Sequence, residues 1–340
     1  MNNLKMIEQQ DYWKGETVAF YALQSIRGVG FRTLYKIAVQ KMSFASLIKC
    51  DDPKHFEKTL RIKLPEQVFN SVENWDSYKK EAWAYGNTLA RDYAKQDIKV
   101  IFYGQDAFPT RLKTITEPPM WLFVQGSIPN LHGKCIAIIG SRKASEDGYW
   151  LTKHVVASMA GTDVVSVSGL AEGIDQKAHE ESLRFKVPTV AVLGTGIDSN
   201  YPKSSDEVRA RILAQGGTIV TEYLVGQSYS AQNFVQRNRI QAGLSQVVVP
   251  VEWKIKSGTA HTVNFTKEFN RFLAMPYLPD TEINSPEIQA ITSYSKGQAF
   301  NVPYQTRDFI EFLKDPKEQE NDNQSPISDL PDGERQFSLL

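Results

Sequence analysis

The chain has 340 residues, and its 39 basic and 39 acidic side chains give a formal net charge of zero. This length provides ample core for one large or two smaller domains. Zero net charge excludes a general electrostatic attraction to DNA or to anionic membranes. The charges are unevenly placed, however: residues 314–340 hold seven acidic and three basic side chains, a balance of −4, which leaves +4 for residues 1–313.

The chain shows no sign of a metal site or of export. Cys50 and Cys135 are far apart and have no His or Cys neighbours at metal-ligand spacing, which indicates two buried thiols in a reducing compartment. The N-terminus has no apolar signal region, and no apolar run reaches membrane-spanning length. We therefore expect a cytoplasmic protein with no cofactor, no metal and no membrane contact.

Residues 1–96 are predicted to form a helical domain, because residues 16–95 show helical apolar spacing and no convincing strand. Within it, residues 23–37 (LQSIRGVGFRTLYKI) resemble a helix-hairpin-helix with a Gly-Val-Gly turn. In families that use this hairpin, the turn amides contact a DNA phosphate, and here Arg27 and Arg32 flank the turn. An ordinary turn in a helical domain explains the same residues, so both interpretations stay open.

From residue 97 the pattern changes to short, continuously apolar strands that alternate with helices. Strands are predicted at 98–104, within 108–126, and at 134–139, 164–167, 189–193, 218–221, 246–251 and 272–275. This alternation indicates an α/β fold, an extended Rossmann-like, doubly wound, mostly parallel sheet over residues 97–278. Residues 279–313 are predicted to be a small C-terminal appendage, and residues 314–340 a disordered acidic tail.

Five predicted strand-to-helix junctions carry glycine, hydroxyl or basic side chains, a combination suited to phosphate. Glycine allows the backbone to approach closely, and Arg offers a fixed fork of donors to phosphate. The motifs are IIGSRKAS with Gly140, Ser141 and Arg142; SVSGLAEGIDQKAH with Ser168, Gly169, Gly173 and Asp175; LGTGIDSNYP with Tyr201; QNFVQRNRIQAGLS with Arg237, Asn238 and Arg239; and KSGTAHT with Ser257, Gly258 and Thr259. Ligands of doubly wound sheets bind at the carboxyl ends of the strands, so five such motifs predict one phosphate-binding edge.

The Arg237-Asn238-Arg239 motif lies in a window without Asp or Glu, residues 223–251. We expect it at the start of a helix, where unpaired N–H groups and the positive end of the dipole favour phosphate. A surface ion-pair cluster on a core helix is the competing interpretation. Tyr201, at another strand end, is a candidate for stacking on a base.

Common catalytic and nucleotide-binding signatures are missing from the sequence. It has no G-x-G-x-x-G at the first helix, no P-loop, no H-E-x-x-H, no C-x-x-C and no G-x-S-x-G.

The ordered motifs G-S-R, S-G-x-A-x-G-I-D-x-x-A-H, V-L-G-x-G-[IL]-D-x-x-Y-P, R-N-R-I-x-A-G-L-S and S-G-T resemble the DNA-processing protein A family, also called Smf (DprA/Smf). The resemblance covers about residues 103–276 and implies a single-stranded DNA-binding homodimer that is not an enzyme. It further implies protection of incoming DNA in natural transformation and help in loading RecA. The family phosphate pocket maps onto Gly140, Ser141, Arg142, Ser168, Gly169, Lys203 and Arg237 to Arg239.

One departure from the family pattern bears on function, because Glu172 stands where the family commonly has Arg. We therefore expect a divergent member, for which transformation, recombination and defence remain open as the process served. Two other classes stay open. One is a nucleotide-binding or nucleotide-cleaving domain related to the phosphoribohydrolases, for which Glu222 is the candidate acid. The other is an adaptor in a defence or recombination complex.

Overall fold

The computed structural model describes residues 2–318. The nine strands in this range are β1 (Ile98–Phe102), β2 (Trp121–Gly126), β3 (Lys134–Gly140), β4 (Val164–Ser168), β5 (Thr189–Val192), β6 (Thr218–Thr221), β7 (Val247–Val251), β8 (Phe272–Tyr277) and β9 (Gly297–Asn301). The α-helices are α1 (Asn2–Ser25), α2 (Phe31–Val39), α3 (Phe44–Ile48), α4 (Pro53–Leu60), α5 (Val72–Lys95), α6 (Glu146–Met159), α7 (Ile174–Arg184), α8 (Asp206–Ala214), α9 (Ala231–Leu244), α10 (Gly258–Glu268), α11 (Pro286–Thr292) and α12 (Thr306–Lys314). None of these helices is both long and apolar enough to cross a membrane.

The strands form one sheet in the order β1-β2-β6-β5-β4-β3-β7-β8-β9. β2 is antiparallel to both of its neighbours, and β3 to β9 are mutually parallel. Helices cover both faces, and the parallel strands are almost continuously buried because their side chains are mainly Val, Ile, Leu and Ala. The predicted α/β, doubly wound, mostly parallel fold is confirmed.

The strand order reverses between β3 and β7. From β3 the chain adds β4, β5 and β6 on one side, then returns to add β7, β8 and β9 on the other. Gly140 pairs with Val251, so β3 and β7 end at the same level. Loops that leave two such strands diverge and open a crevice at the carboxyl edge of the sheet.

Helices α1 to α5 confirm the predicted helical region, and α1 and α2 are joined by a turn that contains Gly28 and Gly30. This region packs on the β1–β2 end of the sheet. The Phe20 ring lies 5.0 Å from Trp121 and 5.6 Å from Phe102 between centroids. The helices therefore share an apolar core with the sheet.

Residues 279–313, predicted as a small C-terminal appendage, contain α11, β9 and most of α12. β9 lies within them and pairs in parallel with β8, so this segment extends the sheet. α12 packs against α6, β8 and β9, with Phe309 and Phe312 in contact with Phe300. The predicted acidic tail lies outside the described residues from residue 319 onward.

Candidate functional site

A cleft of about 860 Å³ opens at the carboxyl edge of the sheet, at the ends of β3 and β7. Its walls come from the loop after β3, the loop after β7, α9 and the first turn of α10. The structure brings together nine of the predicted site residues here: Gly140, Ser141, Arg142, Tyr201, Arg237, Asn238, Ser257, Gly258 and Thr259. Their convergence follows from the strand order, since every contributing loop leaves the carboxyl edge.

Arg237 is a buried arginine with an unpaired edge. Its side chain is 4% exposed, and its Nη1 donates to the carbonyl oxygen of Val192 at 2.8 Å. Nε is enclosed without a hydrogen-bond partner, and among residues 2–318 no carboxylate forms an ion pair with the guanidinium. Nε and Nη2 form the side of the guanidinium whose two N–H bonds point the same way, the geometry that matches two oxygens of a phosphate.

Gly169 makes this position of Arg237 possible. A Cβ on Gly169 would lie 1.5 Å from Nη1 of Arg237, so any other residue would displace the guanidinium. Ser168, the residue before it, is buried and donates its hydroxyl hydrogen to the carbonyl oxygen of Ile138 at 2.6 Å. Gly169 thus leaves room for the arginine, and neither of the predicted residues Ser168 and Gly169 lines the cleft.

Asp175, which lines the cleft beside Arg237, has a perturbed acidity. Burial raises the pKa of Asp175 to about 6, and the nearby Arg237 guanidinium limits the rise. Burial also lowers the pKa of Arg237, while the Asp175 carboxylate opposes that shift. The two groups interact electrostatically without an ion-pair contact, so the charge on Arg237 is only partly compensated.

Two further residues of the cleft lining hold a buried donor without a partner, and neither was singled out from the sequence. The side-chain amide nitrogen of Gln241 and the indole nitrogen of Trp253 are enclosed without a hydrogen-bond partner. With Nε of Arg237 they are three unpaired donors, and a buried donor left unpaired is costly. Nothing in the sequence around Gln241 or Trp253 indicates that its side chain is an unpaired donor in the cleft lining.

The first turn of α10 forms another wall of the cleft. Thr259 donates its hydroxyl hydrogen to the carbonyl oxygen of Gly140 at 3.0 Å, which ties α10 to the end of β3. Asn238 donates from its side-chain amide to the carbonyl oxygen of Gly258 at 3.3 Å. Because Ser257 and Gly258 begin an 11-residue helix, unpaired backbone N–H groups and the positive end of a helix dipole lie at the cleft.

An aromatic cluster forms one rim of the cleft. The ring of Tyr201 lies 4.1 Å from Tyr229 and 5.2 Å from Phe234 between centroids, and Tyr201 and Tyr229 are 40% and 53% exposed. The Arg142 guanidinium carbon lies 5.8 Å from the centre of the Phe234 ring. Tyr201 was a candidate from the sequence, whereas Tyr229 and Phe234 were missed because they lie on the next loop and helix.

Arg239 differs from the sequence-based expectation. Its side chain is 5% exposed, and it donates to both carboxylate oxygens of Glu222 at 2.6 and 2.7 Å. α9 begins at Ala231, so Arg237 and Arg239 lie inside the helix, and the prediction of a helix start at this motif is wrong. Arg239 therefore lies in a buried ion pair away from the cleft, as does Glu222, the candidate acid of the nucleotide-cleaving alternative.

The remaining predicted residues lie outside the cleft lining. Gly173 has φ +81° and precedes α7, where a Cβ would lie 2.2 Å from the carbonyl oxygen of Ser141. Lys203 is exposed two residues after Tyr201, and Arg27 and Arg32 are exposed around the α1–α2 turn. Glu172 is exposed next to Ala171, which lines the cleft.

This chain is similar to a known protein family and to several of its members. Residues 99–314, more than half of the chain, match the family model for DNA recombination-mediator protein A. The Smf protein of Synechocystis sp. is 37% identical over 185 residues, 52% of this chain and 45% of that protein. The DNA processing protein DprA of Streptococcus pneumoniae is 35% identical over 166 residues, 49% of this chain and 58% of that protein. The matched segment thus spans about half the length of these curated relatives.

Solved structures agree with the fold. The X-ray structure of DprA from Streptococcus pneumoniae superposes with a TM-score of 0.63 at 21% identity, and covers 90% of this chain and 99% of that one. A Helicobacter pylori DNA processing protein A, whose structure concerns its single-stranded DNA binding mode, gives a TM-score of 0.55 at 26% identity and covers 65% of this chain. From the match to its family model, the chain belongs to the DNA recombination-mediator protein A family.

Proposed function

We propose that the cleft binds the backbone of single-stranded DNA without strong sequence preference. The observation that carries this proposal is Arg237, a buried guanidinium whose Nε–Nη2 edge has no partner among the described residues. An unpaired guanidinium edge offers two donors to two oxygens of one phosphate. Its place at the carboxyl ends of the strands is where doubly wound sheets bind their ligands. A phosphate there would compensate a charge that Asp175 compensates only partly.

The charges around the cleft support an anionic ligand. Its lining contains four cations, Arg142, Lys143, Arg237 and Lys254, and two carboxylates, Asp175 and Glu252. Arg142, Lys143 and Lys254 are exposed, and none of them forms an ion pair among the described residues. Phosphates that replace released counterions at such side chains give binding that weakens steeply with salt.

The aromatic rim supports a single strand over a duplex. Tyr201 and Tyr229 present exposed rings beside the cations, and stacking of an unpaired base on an aromatic ring is tolerant of sequence. Bases in a duplex are already stacked and are not available to these rings. Arg27 and Arg32 on the α1–α2 turn, and Lys203, are proposed as outer contacts to the same strand, whereas Arg239 has no place in this proposal.

Family membership supports the biological setting. We propose a role in DNA processing during natural transformation, in which the protein protects incoming DNA, acts as a homodimer and assists RecA in the cytoplasm. This setting extends from named relatives such as the Bacillus subtilis DNA processing protein DprA, 33% identical over 171 residues. No catalytic step is part of the proposal.

A direct test is equilibrium binding of fluorescent oligonucleotides across a range of salt concentrations. Single-stranded oligonucleotides of several sequences should bind with similar affinities, more tightly than the matching duplexes, and with a steep loss of affinity as salt rises. Binding that ignores salt, or that is limited to mononucleotides, would contradict the proposal and favour a nucleotide-binding domain. That alternative gains no support from Glu222, whose carboxylate is occupied by Arg239.

A further inference from the structure

Glu252 is an acidic residue in a cleft whose proposed ligand is an anion. It follows β7 directly, lines the cleft, and has a backbone φ of +25°, in the region that non-glycine residues rarely adopt. We infer that Glu252 is a positioning residue: it holds the loop of residues 141–145, and with it Arg142 and Lys143, at the place where DNA phosphates bind. This inference rests on the proposed function of the cleft.

Glu252 contacts both ends of that loop. At the first end, the backbone N–H of Ser141 donates to the Glu252 carbonyl oxygen at 2.9 Å. At the other end, the backbone N–H of Ser145 donates to the two carboxylate oxygens at 3.2 and 3.0 Å, and the Ser145 hydroxyl donates to one of them at 2.5 Å. A single residue therefore fixes the start and the end of a five-residue segment.

The same contacts compensate the charge of the carboxylate. Ser145 is the N-cap of α6, and its Oγ accepts a hydrogen bond from the Gly148 backbone N–H at 3.1 Å. The carboxylate thus lies at the N-terminus of a 14-residue helix, where the helix dipole favours negative charge. A Cβ on Gly148 would lie 2.3 Å from a carboxylate oxygen, so the glycine at this position admits the carboxylate.

The loop has one further backbone anchor, since the Ile174 N–H at the start of α7 donates to the Ser141 carbonyl oxygen at 3.0 Å, and its two cations have no ion pair. Among the described residues neither Arg142 nor Lys143 has an ion-pair partner, and the Arg142 side chain contacts the Phe234 ring. The Lys143 backbone N–H donates to Ser141 Oγ at 3.1 Å, a contact within the loop itself. At the Ser145 end of the loop, the position of both cations relative to α9 and α10 therefore depends on the Glu252 carboxylate.

A purely electrostatic role and a positioning role predict opposite changes in DNA affinity when the Glu252 carboxylate is removed. If this carboxylate is merely an anion beside the DNA, its removal strengthens binding, because one repulsive charge disappears. If it positions the loop, its removal weakens binding even though that repulsion is gone. The affinity of Glu252→Ala for a single-stranded oligonucleotide therefore separates the two roles by direction.

We expect Glu252→Ala to weaken binding of the oligonucleotide at least about threefold. The slope of log affinity against log salt should become smaller by about 0.7 for each phosphate contact that is lost. In a protein that already carries Arg142→Ala and Lys143→Ala, the same change should no longer weaken binding. Ser145→Ala removes a donor to Glu252 without changing the charge, and should weaken binding in the same direction. Melting temperatures of all variants identify the folded proteins that enter the comparison.

Two outcomes overturn the inference while the proposed function stands: Glu252→Ala strengthens binding, or it weakens binding equally with and without Arg142 and Lys143. A different result sinks the proposed function itself, namely unchanged affinity in the folded variant that lacks Arg142 and Lys143. If Glu252→Ala does not fold, Ser145→Ala replaces it in the comparison. The inference then requires that Ser145→Ala weakens binding in the parent but not in the variant that lacks Arg142 and Lys143.

Discussion

Arg237 and Arg239 are two residues apart on α9 and have different tasks. Neighbours at this spacing point about 200° apart around a helix, so the two side chains cannot face the same ligand. Arg237 lines the cleft and its Nε–Nη2 edge is unpaired, whereas Arg239 reaches Glu222. The buried charge of Arg239 is compensated by Glu222, whereas that of Arg237 is compensated only partly by Asp175, and in our proposal a DNA phosphate completes the compensation.

For Arg239→Ala we expect a loss of about 3–5 kcal/mol in the free energy of unfolding, because Glu222 would be left as a buried, unpaired carboxylate. Chemical denaturation measures this loss. The matched control is Glu222→Leu combined with Arg239→Met, which removes both charges and should restore most of the stability. A fully stable Arg239→Ala protein with weakened DNA affinity would instead assign Arg239 to the ligand.

For Arg237→Lys we expect about tenfold weaker binding of single-stranded DNA, since the charge is kept but the two-donor edge is removed. Titration of a labelled oligonucleotide at constant salt measures the change, with the melting temperature measured in parallel. Unchanged affinity together with a lower melting temperature would show that the guanidinium serves only the contact with Val192.

Asp175 should make binding dependent on pH. Its pKa of about 6 in the folded protein lies above the unfolded value near 4, so the folded protein holds the extra proton between these values. The contribution of Asp175 to stability consequently falls as pH rises from about 4 to 6. As pH falls through about 6, Asp175 becomes neutral, and the charge of Arg237 becomes more available to a phosphate.

We therefore expect the affinity for single-stranded DNA to rise about fivefold between pH 7.5 and pH 5, equivalent to roughly 1 kcal/mol. Asp175→Asn should bind at pH 7.5 about as tightly as the parent does at pH 5. Both proteins carry His261→Gln, so that this cleft imidazole makes no contribution. An equal pH dependence in the presence and absence of Asp175 would contradict the assignment.

At the scale of elements, the aromatic rim depends on two loops and one helix that meet beyond the end of β5. We expect Tyr201→Ala to weaken single-strand binding by about 1–3 kcal/mol, the usual value of one stacked base. Tyr201→Phe keeps the ring and should bind normally. If both variants bind as the parent does, the ring packs on Tyr229 and Phe234 for structural reasons and contacts no base.

The strands of the Rossmann-like core were predictable because their apolar runs are continuous and end at glycine-rich turns. β3, β4 and β7 lie within one residue of their predicted bounds. β9 (GQAFN) was missed, because an edge strand is only half buried and its apolar signal is short. The helical N-terminal region was predicted from periodicity, but its shared core with β1 and β2 depends on long-range contacts such as Phe20 with Trp121.

The sequence predicted where the candidate site lies in the fold better than it predicted how the side chains of the site are arranged. Strand-end motifs indicated the carboxyl edge, since parallel strands bring their ends together. The separation of Arg237 from Arg239 depends on where α9 begins, and that start is fixed locally. Ser230, seven residues before Arg237, caps the helix by accepting a hydrogen bond from the Asn233 backbone N–H at 3.0 Å.

At the scale of the whole molecule, the proposed function depends on unequal charge on two edges of one sheet. The carboxyl edge holds unpaired cations, whereas Lys134 at the amino end of β3 pairs with Asp163 at 3.0 Å. Net charge is zero, so any strong attraction to DNA has to come from such a local surface. In our proposal this surface is the cleft at the ends of β3 and β7.

The most direct test is the slope of log affinity against log salt for a short single-stranded oligonucleotide. For Arg142→Ala combined with Lys254→Ala, we expect weaker binding and a slope smaller by about 1.4, two phosphate contacts at about 0.7 each. Lys134→Ala, on the same strand as the cleft but at the opposite edge of the sheet, should keep the parent's affinity and slope. An unchanged slope in the folded double variant, or an equal weakening in Lys134→Ala, would contradict the claim that DNA binds in this cleft.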